Sequence, residues 1–138
     1  MITEEELIRL RGASDSQGFT GLCGLKITEA SEGRCTVRCE ISPQHHNPLG
    51  IAHGGLVFTL MDTAAGVAAA TVCPPGKRGV TRSAGTHFLR PAVSGRVTAE
   101  GRVLKAGRSM ALIQVEARDE SGELMNHGDF EIYFADMK

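Results

Sequence analysis

The feature that most constrains the fold of this chain is one long apolar stretch, from about Gly54 to Cys73. Its apolar residues recur at helical spacing and comprise Leu56, Leu60, Ala64, Val67 and Ala68. The second half is rich in alanine and glycine, and such small side chains let a helix lie close against a neighbouring surface. Pro74-Pro75-Gly76 ends the pattern, because proline cannot continue a helix. The sequence therefore predicts one long and deeply buried helix.

Strand patterns flank this helix on both sides. Apolar and polar residues alternate in segments bounded by turn residues, which predicts strands over 25–30, 34–41, 79–90, 95–105, 109–118 and 123–134. Strands that follow one another through tight turns favour an antiparallel sheet, and the order of elements argues against a doubly wound parallel sheet. We expect an α+β fold in which the sheet packs on one helix.

The remaining segments complete a single domain over residues 1–138. Thr3 and Glu6 form a capping-box pattern, which predicts a short helix over 3–11, within an N-terminal segment of residues 1–12. Residues 13–24 and 44–53 have the composition of loops, and the second of these leads into the long helix.

The composition excludes several classes of protein. Hydrophobic residues make up 41% of the chain, charged residues make up 22%, and the formal net charge of −1 lacks the basic excess of nucleic-acid-binding proteins. No stretch approaches the roughly 18 apolar residues of a membrane helix, and the acidic N-terminus does not resemble a signal peptide. We expect a cytoplasmic protein that binds neither nucleic acid nor membrane, with its four cysteines reduced in the core.

One face of the predicted sheet carries apolar residues that a single helix cannot cover. Met110 and Leu112 lie on the face opposite to Ala111 and Ile113 in the alternating strand. Apolar residues on an outer face indicate a partner chain, so we expect an oligomer.

The start of the long helix and an acid within it carry the chemistry of this sequence. Gly54 and Gly55 open the helix, where backbone N–H groups lack intrahelical partners and where a ligand can approach the backbone closely. Such amides make an anion site or an oxyanion hole. Asp62 lies among small and apolar neighbours, which is typical of a base or nucleophile. Two alternatives stay open: the glycines are only a flexible start to the helix, or Asp62 is a solvated or hydroxyl-bonded acid.

The histidines are weaker candidates. His53 precedes the helix, where an N-cap or a packed role is as consistent with the pattern as catalysis. His45 and His46 are adjacent in the predicted loop, and a surface position is expected for both. We expect no metal site, because no carboxylate or cysteine stands at a suitable spacing from these histidines.

Together these segments resemble the hotdog-fold thioesterases of the phenylacetate-degradation (PaaI-type) branch. The resemblance rests on N-x-x-G-x-x-H-G-G at residues 47–55, L-M-D at 60–62, F-x-R-P-A at 88–92 and a basic-glycine turn at 105–108. It covers about residues 20–135. It implies a curved antiparallel sheet wrapped around one long helix, which agrees with the order of elements above.

The resemblance also implies roles for individual residues. Asp62 matches the general base or nucleophile that acts on a thioester, and the Gly54 amide matches the group that polarises the thioester carbonyl. Asn47 and His53 match residues that line the site, Asn47 by helping to place water, and Thr81 falls near the attacking water. Gly55, Arg90, Lys105 and Arg108 are the candidates for binding the CoA part of the substrate.

Helix geometry then predicts sites shared between subunits. Gly54 and Asp62 are eight residues apart, or about 12 Å at a rise of about 1.5 Å per residue. Both groups must lie within about 3 Å of one reacting carbonyl. We therefore expect Gly54 of one chain to face Asp62 of another, in a dimer that assembles further into a homotetramer.

The implied reaction is hydrolysis of an acyl-CoA to a free acid and CoA without a cofactor. The acyl group is either aromatic, such as phenylacetyl or hydroxyphenylacetyl, or a medium-to-long fatty chain. Two alternatives stay open: a hotdog dehydratase or hydratase, and a non-catalytic acyl-CoA-binding or regulatory module.

Overall fold

A computed structural model of the chain describes residues 3–6, 8–9 and 18–137. Among the described residues, the helices with complete bounds are α1 (Gly18–Leu22) and α2 (Gly54–Ala70), and a 3-10 turn spans Pro43–His45. The six strands are β1 (Lys26–Ser31), β2 (Arg34–Ile41), β3 (Lys77–Phe88), β4 (Gly95–Ala106), β5 (Met110–Asp119) and β6 (Leu124–Asp136). In the described residues, no helix is both long enough and apolar enough to cross a membrane.

The strands form one antiparallel sheet in the order β1-β2-β4-β5-β6-β3, with α2 packed on one face. Alternation assigns that inner face, because Ala111, Ile113, Val115 and Ala117 of β5 are all buried. Met110 and Leu112 lie on the outer face, as the sequence predicts. The expected architecture of one long helix on an antiparallel sheet is confirmed.

Small residues bring α2 against the sheet. A β-carbon added to Gly101 of β4 would lie 2.8 Å from the backbone oxygen of Ala64, so only glycine permits this approach. Towards the other edge of the sheet, the rings of Phe58 and Phe130 pack at a centroid separation of 5.4 Å. The alanine-rich half of the helix therefore lies directly against the backbone of β4.

The predicted long helix ends earlier than expected, at Ala70 instead of Cys73. The buried Thr71 hydroxyl donates to the Ala68 carbonyl at 2.7 Å and accepts the Gly33 N–H at 2.7 Å. These bonds join the helix end to the β1–β2 turn before the prolines are reached.

Two segments expected to be loops contain helical turns. Residues Gly18–Leu22 form α1, and Gly24 follows at a positive φ of 73°, as is common after the last turn of a helix. Pro43–His45 forms the 3-10 turn. The predicted N-terminal helix lies partly outside the described residues, but residues 4–6 and 8–9 are helical. Its capping box is present, because the Glu6 N–H donates to the Thr3 hydroxyl and the Thr3 N–H donates to the Glu6 carboxylate.

The expectation of surface positions for both loop histidines is wrong for His45, which is 8% exposed. Its Nδ1 accepts the Ser42 N–H at 3.0 Å, and its Nε2 lies 2.8 Å from the Cys23 carbonyl oxygen. The 3-10 turn aims the ring inward, where these two groups satisfy both nitrogens. Cys39 lies in the same region, and the four cysteines are thiols in the structure.

Strand β3 forms one edge of the sheet and pairs with β6. Nearly all of its twelve residues are exposed, including Val80 at 52% and Phe88 at 55%. A long exposed edge of this kind is a template for pairing with another chain.

Candidate functional site

The first turn of α2 presents a backbone donor. His53 is the N-cap, and its Nδ1 accepts the Gly55 N–H at 2.8 Å. The Leu56 N–H donates to the His53 carbonyl at 2.9 Å. Within the described part of the chain, the Gly54 N–H has no such acceptor. Gly54 is therefore the amide of this turn that remains available to an anionic or carbonyl oxygen.

The acid predicted to act on the substrate is held by a hydroxyl. Thr81 of β3 donates its hydroxyl to Oδ1 of Asp62 at 2.7 Å. Asp62 is half-buried, and its Oδ2 makes no hydrogen bond to the described residues. One carboxylate oxygen is thus fixed while the other is left for a substrate or a water molecule.

Strand β3 contacts both ends of the predicted catalytic segment. Phe88 lies against Gly54, since a β-carbon on that glycine would lie 3.2 Å from the ring. Thr81, near the other end of the strand, bonds Asp62. The two groups of one chain therefore lie beside separate parts of β3, and the structure does not bring Gly54 and Asp62 of one chain together.

Asn47 shapes the loop before the helix. Its Oδ1 accepts the Leu49 N–H at 2.9 Å and the Ile51 N–H at 3.4 Å, as in an Asx turn. Gly50 completes the turn at a φ of 77°. The Asn47 oxygen is occupied within the loop, so only its amide nitrogen is left for the proposed role with water.

The basic candidates fall into two groups. Arg90 follows β3 at the Phe88 end and forms an exposed ion pair with Glu123 at 3.3 Å. Lys105 and Arg108 are exposed beside the β4–β5 turn. That turn lies at the Thr81 end, because Met110 pairs with Tyr133 of β6, which pairs with Val80 of β3.

Two residues near the first turn of α2 have no predicted role in the sequence pattern. Phe88 belongs to the F-x-R-P-A motif, and its ring contacts Gly54. Asn126 is 1% exposed on β6, and its Nδ2 has no hydrogen-bond partner in the part of the chain that the structure describes. In the sequence, Asn126 is a polar residue on the same face of its strand as Phe130, Ile132 and Phe134. This pattern indicates a buried polar group. The described residues contain no cluster of histidine, cysteine and acidic side chains that fits a metal ion.

The chain is similar to known proteins in both sequence and structure. Residues 49–126, more than half of the chain, match the thioesterase superfamily. The chain belongs to the thioesterase superfamily. Like other members it is a thioester hydrolase, and its helix-on-sheet architecture is the hotdog fold.

Individual relatives of this thioesterase-superfamily chain agree. It is 31% identical over 108 residues to acyl-coenzyme A thioesterase 13 of Mus musculus, covering 75% of this chain and 76% of that protein. It is 26% identical over 108 residues to 1,4-dihydroxy-2-naphthoyl-CoA hydrolase of Listeria monocytogenes, covering 78% and 88%. A mutant of the phenylacetic acid degradation protein PaaI from Thermus thermophilus superposes with a TM-score of 0.77 at 29% identity, covering 83% and 96%.

Proposed function

We propose that this protein hydrolyses acyl-CoA thioesters, with Asp62 as base or nucleophile and the Gly54 amide as the oxyanion donor. The observation that carries the proposal is the bond from Thr81 to Asp62 at 2.7 Å, which fixes one carboxylate oxygen and leaves the other open. The acyl group is aromatic or fatty, and a hydrolysis screen over both kinds of acyl-CoA ester distinguishes the two.

The reaction needs a polarised carbonyl and a positioned nucleophile. The thioester oxygen accepts the Gly54 N–H and takes up negative charge as the carbonyl carbon is attacked. Asp62 either removes a proton from the attacking water or attacks the carbon itself and forms an anhydride that water then opens. Collapse of the adduct expels CoA as a thiolate, which is a good leaving group. Transfer of oxygen-18 from water into the protein in a single turnover identifies the anhydride route.

Two subunits are required to complete each site in this proposal. The exposed edge of β3 pairs with the same strand of a second copy about a two-fold axis. An axis near Ala84 and Gly85, midway between Thr81 and Phe88, places Gly54 of one chain close to Asp62 of its partner. The same arrangement brings Arg90 of one chain towards Lys105 and Arg108 of the other, where the phosphates of CoA would be bound.

The role of Asp62 is tested with Asp62→Asn, which keeps the shape and removes the charge. We expect kcat to fall by about 10²-fold or more, the typical contribution of a positioned acid or base. Thiol release from a panel of aryl- and alkyl-CoA esters measures the loss. Thr81→Val keeps the carboxylate but loses its hydrogen bond, so a smaller reduction is expected. An Asp62→Asn protein that retains full turnover excludes the proposed mechanism.

The role of the Gly54 amide is tested with Gly54→Pro. Proline is favoured at the first helical position and lacks the N–H, and His53 already has the extended backbone (ψ 137°) that a residue before proline adopts. Gly54→Ala is the matched control, because it adds a β-carbon beside Phe88 but keeps the N–H. We expect kcat to fall by about 10²- to 10³-fold in the proline variant and much less in the alanine variant. Equal losses in both would show that the added carbon, not the missing donor, is responsible.

Shared sites are tested by mixing these two inactive proteins. A heterodimer of Asp62→Asn and Gly54→Pro chains contains one site with both groups intact and one with neither. After unfolding and refolding together, random pairing should restore about one quarter of the wild-type activity. Verified heterodimers without activity would show that each chain builds its own site.

A further inference from the structure

We infer that Asn126 is a specificity-determining residue that donates a hydrogen bond from Nδ2 to an oxygen on the acyl group. The inference rests on the proposed acyl-CoA thioesterase function. It assigns to the site acyl groups that carry a hydroxyl or carbonyl oxygen beyond the thioester.

The cross-strand neighbours of Asn126 show in which direction its side chain points. In the sheet, Asn126 lies directly opposite Ala117 of β5 on one side and Phe88 of β3 on the other. Directly opposite residues share a face. Ala117 belongs to the buried inner face, and the Phe88 ring contacts Gly54 at the start of α2. Asn126 therefore points towards the helix, beneath the turn that presents the proposed oxyanion donor.

The buried side-chain amide of Asn126 lacks an acceptor among the described residues. Asn126 is 1% exposed, and no described residue accepts a hydrogen bond from its Nδ2. Its cross-strand neighbours explain this, because neither alanine nor phenylalanine has a side-chain acceptor. Leaving a buried amide donor without an acceptor is destabilising, and an apolar residue of the same shape avoids that cost. An acceptor that arrives with the substrate would recover it.

Phe88 limits access to Asn126, because it pairs with Asn126 across the strands and its ring contacts Gly54. Phe88 is 55% exposed in the single chain, but it lies on the edge strand that pairs with a second subunit in the proposed dimer. Its ring must therefore turn aside at that interface for an acyl group to reach Asn126. The adjacent row of the inner face is Thr86 and Gly128, with the sulfur of Met61 lying 3.6 Å from the Thr86 hydroxyl. The Thr86 hydroxyl is already hydrogen-bonded to the His127 carbonyl oxygen at 3.2 Å. An acyl group whose carbonyl meets Gly54 would thus reach small and apolar groups beside which Asn126 offers an unpaired donor.

The test compares matched esters and uses Asn126→Leu, which keeps the approximate shape and removes the amide. The substrates are phenylacetyl-CoA with its ortho-, meta- and para-hydroxy forms, and hexanoyl-CoA with a hydroxyhexanoyl-CoA. We expect the wild-type kcat/KM to favour at least one oxygenated ester over its plain counterpart by about 10-fold or more. In Asn126→Leu we expect the ratio of the two kcat/KM values to fall to about 1, because kcat/KM drops for the oxygenated ester and changes little for the plain ester. Tm should rise or stay constant.

A structural role gives a different pattern. If Asn126 is satisfied by a bound water or by a partner chain, Asn126→Leu will lower Tm or change the oligomeric mass, and both esters will lose activity equally. Either result overturns the inference, as does a wild-type protein that shows no preference. Val37→Ala is the control: it is a buried change on β2, which β4 and β5 separate from β6, so it should lower Tm and leave the ester preference unchanged. A wild-type protein that hydrolyses none of these esters would instead contradict the proposed function.

Discussion

At the scale of single residues, position in the sheet decides which polar groups can act. Thr81 and Asp62 were both predicted as site residues, and the strand that carries Thr81 brings its hydroxyl to the acid. Asn126 and His45 were not predicted as buried groups. Periodicity shows on which face a side chain lies, but whether a buried polar atom finds a partner depends on neighbours that are distant in sequence. His45 bonds Cys23 and Ser42, whereas Nδ2 of Asn126 has no partner among the residues that the structure describes.

Cys39 gives a residue-scale prediction for alkaline pH. Burial, together with the nearby Cys23 and Glu40, raises the pKa of its thiol from 9.0 to about 11. The unfolded chain therefore loses this proton at lower pH than the folded protein. The contribution to stability is complete below about pH 9 and is lost as pH rises through about 11. Chemical denaturation across this range should show a steeper decline for wild type than for Cys39→Val, and parallel curves would contradict the assignment.

At the scale of elements, the close contact between α2 and β4 leaves no room for an added side chain. Gly101→Ala places a β-carbon 2.8 Å from the Ala64 backbone oxygen, which a side-chain rotation cannot relieve. We expect the free energy of unfolding to fall by about 1–3 kcal/mol, the usual cost of overpacking. Gly66→Ala is the matched control within the helix, because no atom lies within 4 Å of its added carbon. Helix propensity predicts that this variant gains up to about 1 kcal/mol, as measured by denaturant titration.

Most elements could be predicted because each strand carries its own alternation and each turn its own residues. Strand β2 has the predicted bounds of 34–41, and the other strands differ at their ends by a few residues. The misjudged elements depend on distant contacts or have no periodic signal. Helix α2 ends where Thr71 bonds the β1–β2 turn, and α1 is too short for an apolar repeat to appear.

At the scale of the whole molecule, the exposed strand edge and the apolar outer face of the sheet predict a tetramer. The proposed dimer uses the β3 edge, and the outer face of the sheet, with Leu112, would join two dimers into a tetramer. Leu112→Lys places a charge on that face without touching the inner face. Sedimentation should then show dimers with wild-type kcat. An active monomer would contradict both the dimer and its shared sites, and an unchanged tetramer would exclude this face as the second interface.

The position of β3 in the sheet also determines when the site can form during synthesis. In the described sheet, β3 pairs with β6, which follows it in the chain after β4 and β5. A nascent chain that has released α2 and β3 therefore contains Asp62 and Thr81 but lacks the strand that holds β3 in place. Ribosomes add about 5–20 residues per second, so this interval lasts a few seconds. Only after β6 leaves the ribosome can β3 take its place in the sheet. Thr81 can then bond Asp62, and the edge strand can pair with a second subunit.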